Sequence, residues 1–283
     1  MKKIVALTLT LAMAFSMVAC GAKTEEAPAA TEEVVVETTT EEVAAEETTD
    51  AETEATADAE TAATADVKSE GVMTYEEYAA AELDTEVVVE TYVQAKQSWW
   101  EDKATVYTQD KDGAYFLYEL ACSEEDYAKL VPGTKIKVTG YKGEWAGEVE
   151  IMDGTFEILE GSYIAEAEDI TALLASEELI NHQNKFVAFK GMTVEASVDA
   201  EGNEVAFLYN WDGSGEDGND LYFNVSLDGQ TYTFTVESYL CDNTTDVYAA
   251  VKNLQIGDVV DMEGFLYWYE GVNPHITSLT VVE

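Results

Sequence analysis

From about residue 74 onward, apolar and polar positions alternate in short runs separated by turn residues. "EVVVETYVQA" (86–95), "KATVYTQD" (103–110) and "AYFLYELA" (114–121) each read as a strand. The first two are joined by the tryptophan-bearing "KQSWWED" and the last two by "KDG". "SEEDYAKL" then breaks the alternation, and Ser123 with Asp126 three residues on predicts a capping box and a short helix. "TKIKVTGY" (134–141) alternates lysine or threonine with apolar residues, as a half-buried strand with its lysines in water would. "GEWAGE" is a hairpin connection into "EVEI" and "TFEIL". Ahead of them all, Thr74 and Glu77 in "TYEEYAAAELD" form a second capping-box signature.

After a predicted linking helix, "DITALLASEELINHQ", the order recurs. "KFVAFKGMTVEA" is strand one, and "DLYFNVSL" and "TYTFTVES" are strands two and three across an Asp228-Gly229 turn. "DVYAAVKNL" is the helix, "DVVDMEGFLYWY" strand four and "HITSLTVV" strand five. Leu130–Gly140 and Leu254–Gly264 share the phrase L-x-x-G-x-x-[IV]-x-[VM]-x-G. Gly133 maps to Gly257 and Gly140 to Gly264, both at an offset of 124. Three strands, a helix and two strands is the order of an OB-fold, a five-stranded barrel with its helix between strands three and four. The expected fold is therefore mainly β, with two consecutive OB barrels over 71–165 and 166–283. The second carries a long insertion between its first two strands, read as an extra hairpin and an acidic loop.

Composition changes sharply before the barrels. Residues 20–70 are mostly Glu, Thr, Ala and Val, without aromatics, and such acidic low-complexity sequence cannot bury enough apolar surface to order itself. It reads as a disordered tether, with an acidic interaction tail as the other reading. The whole chain carries −44, and every one of its 14 basic residues is lysine. Nucleic-acid binders need a basic footprint, so the charge leads us to expect no nucleic-acid partner.

Residues 1–19 have the form of a secretory signal: Lys2 and Lys3, an apolar run, then small residues before Cys20. Met17-Val18-Ala19-Cys20 resembles the lipobox of bacterial lipoproteins. The resemblance implies cleavage before Cys20, lipid on its sulfur, and anchoring at the extracellular face of the cell membrane. An ordinary signal peptide with an incidental cysteine is the alternative. As a whole the chain resembles the tandem OB-fold lipoproteins of Gram-positive anaerobes, a group without an assigned activity. Cys122 and Cys241 read as two small buried residues, with a disulfide as the other option.

Catalytic signatures are absent. His182 and His275 are the only histidines, neither sits in a recognisable motif, and the expectation is a protein without enzyme activity. No cofactor is expected, apart from calcium in "NWDGSGEDGND", where Asp212, Ser214, Glu216 and Asp220 alternate as oxygen donors. The loop departs from an EF-hand at Asp217 and Phe223, and a solvated turn is the simpler reading. The aromatics say more. Trp99, Trp100 and Trp211 fall between strands one and two of the barrels, and Trp145, Tyr267, Trp268 and Tyr269 between strands four and five. Those loops flank the face with which OB-folds bind oligonucleotides and oligosaccharides. The expectation is recognition of a neutral polysaccharide by rings at both barrels. The alternatives are a protein-interaction or structural module of an envelope assembly, or rings that fill barrel ends and seal the barrels together.

Overall fold

The computed structural model describes residues 68–282. The signal segment, Cys20 and all but the end of the acidic segment lie outside the described residues. In the first barrel, α1 (Tyr75–Ala80) precedes β1 (Glu86–Lys96), β2 (Lys103–Gln109), β3 (Ala114–Ala121), α2 (Glu124–Lys129), β4 (Thr134–Trp145) and β5 (Glu148–Ser162). The strands close in the order β1-β2-β3-β5-β4, with β4 returning to β1. Only β3–β5 is parallel, because α2 and β4 carry the chain back between them. Alternation places Val87, Val89, Val106, Leu117, Ile136, Val138 and Ile151 inside, all fully buried.

The second barrel adds β6 (Glu168–Asp169), β7 (Phe186–Glu195), β8 (Ser197–Val198), β9 (Glu204–Val205), β10 (Leu208–Tyr209), β11 (Leu221–Leu227), β12 (Gln230–Val236), α3 (Asp246–Lys252), β13 (Val259–Phe265) and β14 (His275–Val282). Its barrel strands run β7-β11-β12-β14-β13, closed by β13–β7 pairing. Both halves are OB-folds. The predicted insertion forms the β8–β9 hairpin, the short β10 against β11, and the acidic loop between them.

The repeated phrase does the same two jobs in each barrel. Gly133 and Gly257 are left-handed at φ +90° and +94°, and their N–H groups donate to Val93 and Val194 of the first strand at 2.7 and 2.9 Å. Gly140 and Gly264 sit at bulges in the fourth strand, where the fifth strand's backbone comes too close for any side chain.

Four local expectations need correction. The linking segment is two 3-10 turns, Thr171–Leu173 and Glu177–His182, rather than one helix. Asp169 accepts from the N–H and hydroxyl of Thr171, and Ser176 restarts the chain by accepting from Glu178 N–H, so local side chains interrupt a continuous helix. "EVEI" and "TFEIL" are one strand, β5, continued across the bulge. At α2 the cap is one-sided: Ser123 accepts from Asp126 N–H, while the shorter Asp126 carboxylate takes the Ser123 hydroxyl and Lys129. Lys135 is not in water, since it pairs at 2.9 Å with the fully buried Glu90.

Lys68 falls within the range expected to be tether, yet its ammonium reaches Asp110 Oδ2 at 2.6 Å and Glu90 O at 2.8 Å. Asp110 is buried in the β2–β3 turn, where its other oxygen accepts from Asp112 and Gly113 N–H. A buried carboxylate needs that counter-charge, so Lys68 belongs to the fold of the first barrel rather than to the tether. Cys122 and Cys241 are free buried thiols, and burial pushes them up to about 11 and about 12.

Candidate functional site

The outer face of β2 and β3 carries the cross-strand pair Tyr107 and Phe116. Both rings are buried against the second barrel: Tyr107 stacks on Phe265 at 4.5 Å, and Phe116 meets Tyr267 edge-on at 5.3 Å. The Tyr107 hydroxyl pairs with His275 Nδ1 at 2.7 Å. Around these rings, Gln109 Oε1 accepts from Phe186 N–H, and Tyr239 O accepts from Ser98 N–H, each at 2.7 Å. Trp268 N–H donates to Glu148 Oε2 at 2.8 Å, and its indole lies directly over Gly147. The face that would bind ligand on the first barrel is thus occupied by the second.

The equivalent outer pair of the second barrel, Tyr222 on β11 and Thr235 on β12, is instead open to a cleft of about 550 Å³. Its rim combines three loops. The β4–β5 hairpin turns through Ala146 and Gly147, both left-handed, and projects Trp145, which is 55% exposed. The segment between β13 and β14 supplies Tyr267, Tyr269, Glu270 and Asn273; Glu270 N–H donates to Ala146 O at 2.7 Å and ties the two loops together. The insertion supplies Trp211, 76% exposed, held just beyond Asn210 N–H→Asp220 O. Trp145 and Tyr269 lie 5.1 Å apart.

The walls are polar and acidic. Asp220 Oδ1 accepts from the N–H and hydroxyl of Ser238 at 2.8 and 2.6 Å. Thr235 donates its hydroxyl to Asn273 Oδ1 at 2.7 Å. Glu237 follows β12; burial, then the nearby Asp220, pushes its carboxyl up to about 7. Burial holds His275 down to about 3, so it stands neutral beside the Tyr107 hydroxyl. Tyr222 is raised to about 12 by burial, with Asp220 and Glu237 adding to it. Flat exposed rings beside hydrogen-bond acceptors, with no lysine in the lining, suit a ligand that has apolar faces and polar donors.

The expected site residues divide accordingly. Trp145, Trp211, Tyr267 and Tyr269 converge on the cleft, and Asp220 joins them in its wall. Trp268 is half-buried and packs into the core of the second barrel. Trp99 donates its indole N–H to Cys122 O at 2.9 Å, and Trp100 lies in a separate groove with Tyr118 and Tyr239. The calcium donors are not gathered. Asp212 accepts from Ser214 N–H, Glu216 N–H is held by Asn219 Oδ1, and Asp220 is turned to Ser238. Among the described residues, no group of three His, Cys, Asp or Glu is placed to hold a metal ion. Tyr222, Thr235, Glu237, Glu270 and Asn273 escaped the sequence reading, and His275 entered it only as a histidine outside any motif. The alternation in "DLYFNVSL" and "TYTFTVES" marks Tyr222 and Thr235 as outward-facing, but nothing local says that this face is the open one.

No known protein family and no curated protein matches the chain. Among solved structures it is similar to a murine DNA-binding protein bound with double-stranded DNA, at 9% identity and TM-score 0.34, over 69% of this chain and 95% of that one. The HINa domain of Ifi202 in complex with 20-bp double-stranded DNA aligns at 10% identity and TM-score 0.32, over 69% and 94%. A replication protein A heterotrimer bound to single-stranded DNA aligns at 10% and 0.31, over 75% and 52%. These likenesses carry no residue-level correspondence, but with neighbours described as bound to DNA the expectation that nucleic acid is excluded as a partner is withdrawn. Net charge belongs to the whole chain, whereas stacking and hydrogen bonding are local, so −44 does not by itself decide the partner class.

Proposed function

We propose that this chain is a lipid-anchored extracellular binding protein whose second barrel holds a polysaccharide in the cleft between the β4–β5 hairpin and β11–β12. The supporting observation is the convergence of Trp145, Trp211, Tyr267 and Tyr269 from three separate loops on one concavity walled by Asp220, Glu237 and Asn273. Sugar rings stack by their C–H faces on exposed aromatics, and their hydroxyls donate to carboxylate and amide oxygens. The face is the one OB-folds use for oligosaccharides and oligonucleotides. The cleft binds rather than turns over its ligand, and the lipid on Cys20 and the acidic segment hold it at the cell surface. The reading is narrower than the sequence suggested, because the first barrel's own face is covered.

The test is a titration of the chain from residue 21 onward with cellulose, xylan and chitin oligosaccharides, followed by tryptophan fluorescence. A deoxythymidine oligomer is titrated alongside. We expect saturable binding of at least one glycan, weakened roughly tenfold or more by Trp145→Ala or Trp211→Ala with the melting temperature kept. Binding of the oligomer alone would assign the cleft to nucleic acid, and silence of all probes would move the search to an envelope protein.

A further inference from the structure

Hydroxyl donors and stacking use the acceptors of the cleft wall, but they do not account for a carboxylate kept buried there without a counter-charge. Glu237 is 9% exposed and lines the inner wall. Its Oε1 accepts from Tyr239 N–H at 3.1 Å, and the Leu240 N–H and the Gln97 side chain lie close to the carboxylate, but Oε2 is buried without a hydrogen-bond partner of good geometry. A buried carboxylate lacking a counter-charge is costly to keep ionised. Nothing around it supplies one. Asp220 faces it from the end of the insertion, Tyr222 from β11, Tyr107 from β2, Tyr267 from the segment after β13, and Cys241 from the turn after β12. His275 on β14 also lines the cleft and is neutral, and no lysine lines it. The surrounding rings add the negative faces to which cations are drawn.

We propose that the Glu237 end of this cleft is a subsite for a primary ammonium group, shared by the Glu237 and Asp220 carboxylates, so that the preferred ligand is a polysaccharide bearing free-amine sugars. The inference rests on the polysaccharide reading of the same cleft and specifies its chemistry. It also makes a thermodynamic demand. Glu237 stands up to about 7 when the cleft is empty of cations, so at about pH 6 it is mostly protonated. A sugar ammonium entering there must displace that proton, whereas a neutral sugar leaves it in place.

The experiment is calorimetric titration at about pH 6, in buffers of different ionisation enthalpy, with chitohexaose, its fully N-acetylated counterpart and cellohexaose. We expect the free-amine oligomer to bind about tenfold or more tighter than the acetylated one, the difference a charge-assisted contact confers. Proton release should approach about one per site for the amine and none for the other two. Glu237→Gln, which keeps an acceptor for Tyr239 N–H, should abolish both the discrimination and the proton release. If that variant does not fold, the wild-type protein's discrimination and proton release still decide. Equal binding of amine and acetylated oligomers without proton release overturns the ammonium subsite and leaves the polysaccharide reading standing. Failure of all three oligomers to bind removes both.

Discussion

Single buried carboxylates set the chemistry of this molecule more than its surface charge does. Glu148 is fully buried at the junction of the barrels, where Oε2 accepts from Trp268 N–H and from Gln183 Nε2 at 3.2 Å. Burial pushes it up to about 9, from 4.5 for a solvated glutamate. The folded protein therefore holds a proton that the unfolded chain releases. The stability this confers is complete below about pH 4.5 and is lost progressively as pH rises toward about 9, by up to about 1.4 kcal/mol per pH unit. Glu150, raised to about 7 by burial and by Glu119, and Glu237 steepen the lower part of that range. Glu148→Gln preserves an acceptor for Trp268 N–H and removes the proton. We expect the variant to be more stable than wild type at about pH 8, with a flatter slope in urea unfolding between about pH 5 and 9. An unchanged slope would show that Glu148 is ionised in the fold. None of this is legible in "GEWAGEVEI", where Glu148 and Glu150 look no different from the chain's other carboxylates. Desolvation is a property of what packs around a residue, not of its neighbours in sequence.

Among the elements, the strands were legible because period-two alternation reports directly on a half-buried surface. The repeated glycines were legible for a related reason: a left-handed turn and a backbone crossing each tolerate little else. The two positions differ in what a methyl group would meet. At Gly257 there is open space, and the cost is the left-handed φ alone, about 1–2 kcal/mol. At Gly264 a Cβ would run into the backbone of His275 and Ile276, which cannot move without opening the barrel. Gly264→Ala is therefore expected to cost at least about 3 kcal/mol, well beyond Gly257→Ala, in guanidinium unfolding. Equal losses would mean that the bulge relaxes freely. The linking segment misled the reading because apolar spacing in "DITALLASEELINHQ" fits a helix, while Asp169 turns the chain into the first 3-10 turn and Ser176 caps the second. Ile170, Leu174 and Leu179 reach the core either way, so burial did not choose between the two forms.

At the scale of the whole molecule, the two barrels share a core of rings rather than standing as beads on a string. Tyr107 and Phe116 from one barrel and Phe265 and Phe186 from the other form a cluster that neither barrel completes alone. Separating the barrels would also expose Glu148 and uncover Gly147. We expect one cooperative thermal transition, with a calorimetric-to-van't Hoff enthalpy ratio near one; two resolved transitions would contradict a shared core. The sequence by itself determined the strands, their order, the two barrels, and which loops carry the aromatics, because alternation, caps and glycine turns are local signals. Only the tertiary structure decided that one barrel's outer face is covered and the other's lies open. That choice placed Trp145 of the first barrel beside Tyr269 of the second and buried Glu237 without a counter-charge, while closure of the first barrel brought Lys68 to Asp110. Each depends on contacts between residues far apart in the chain, formed as two apolar faces leave water together, and no period along a single strand encodes which faces will meet.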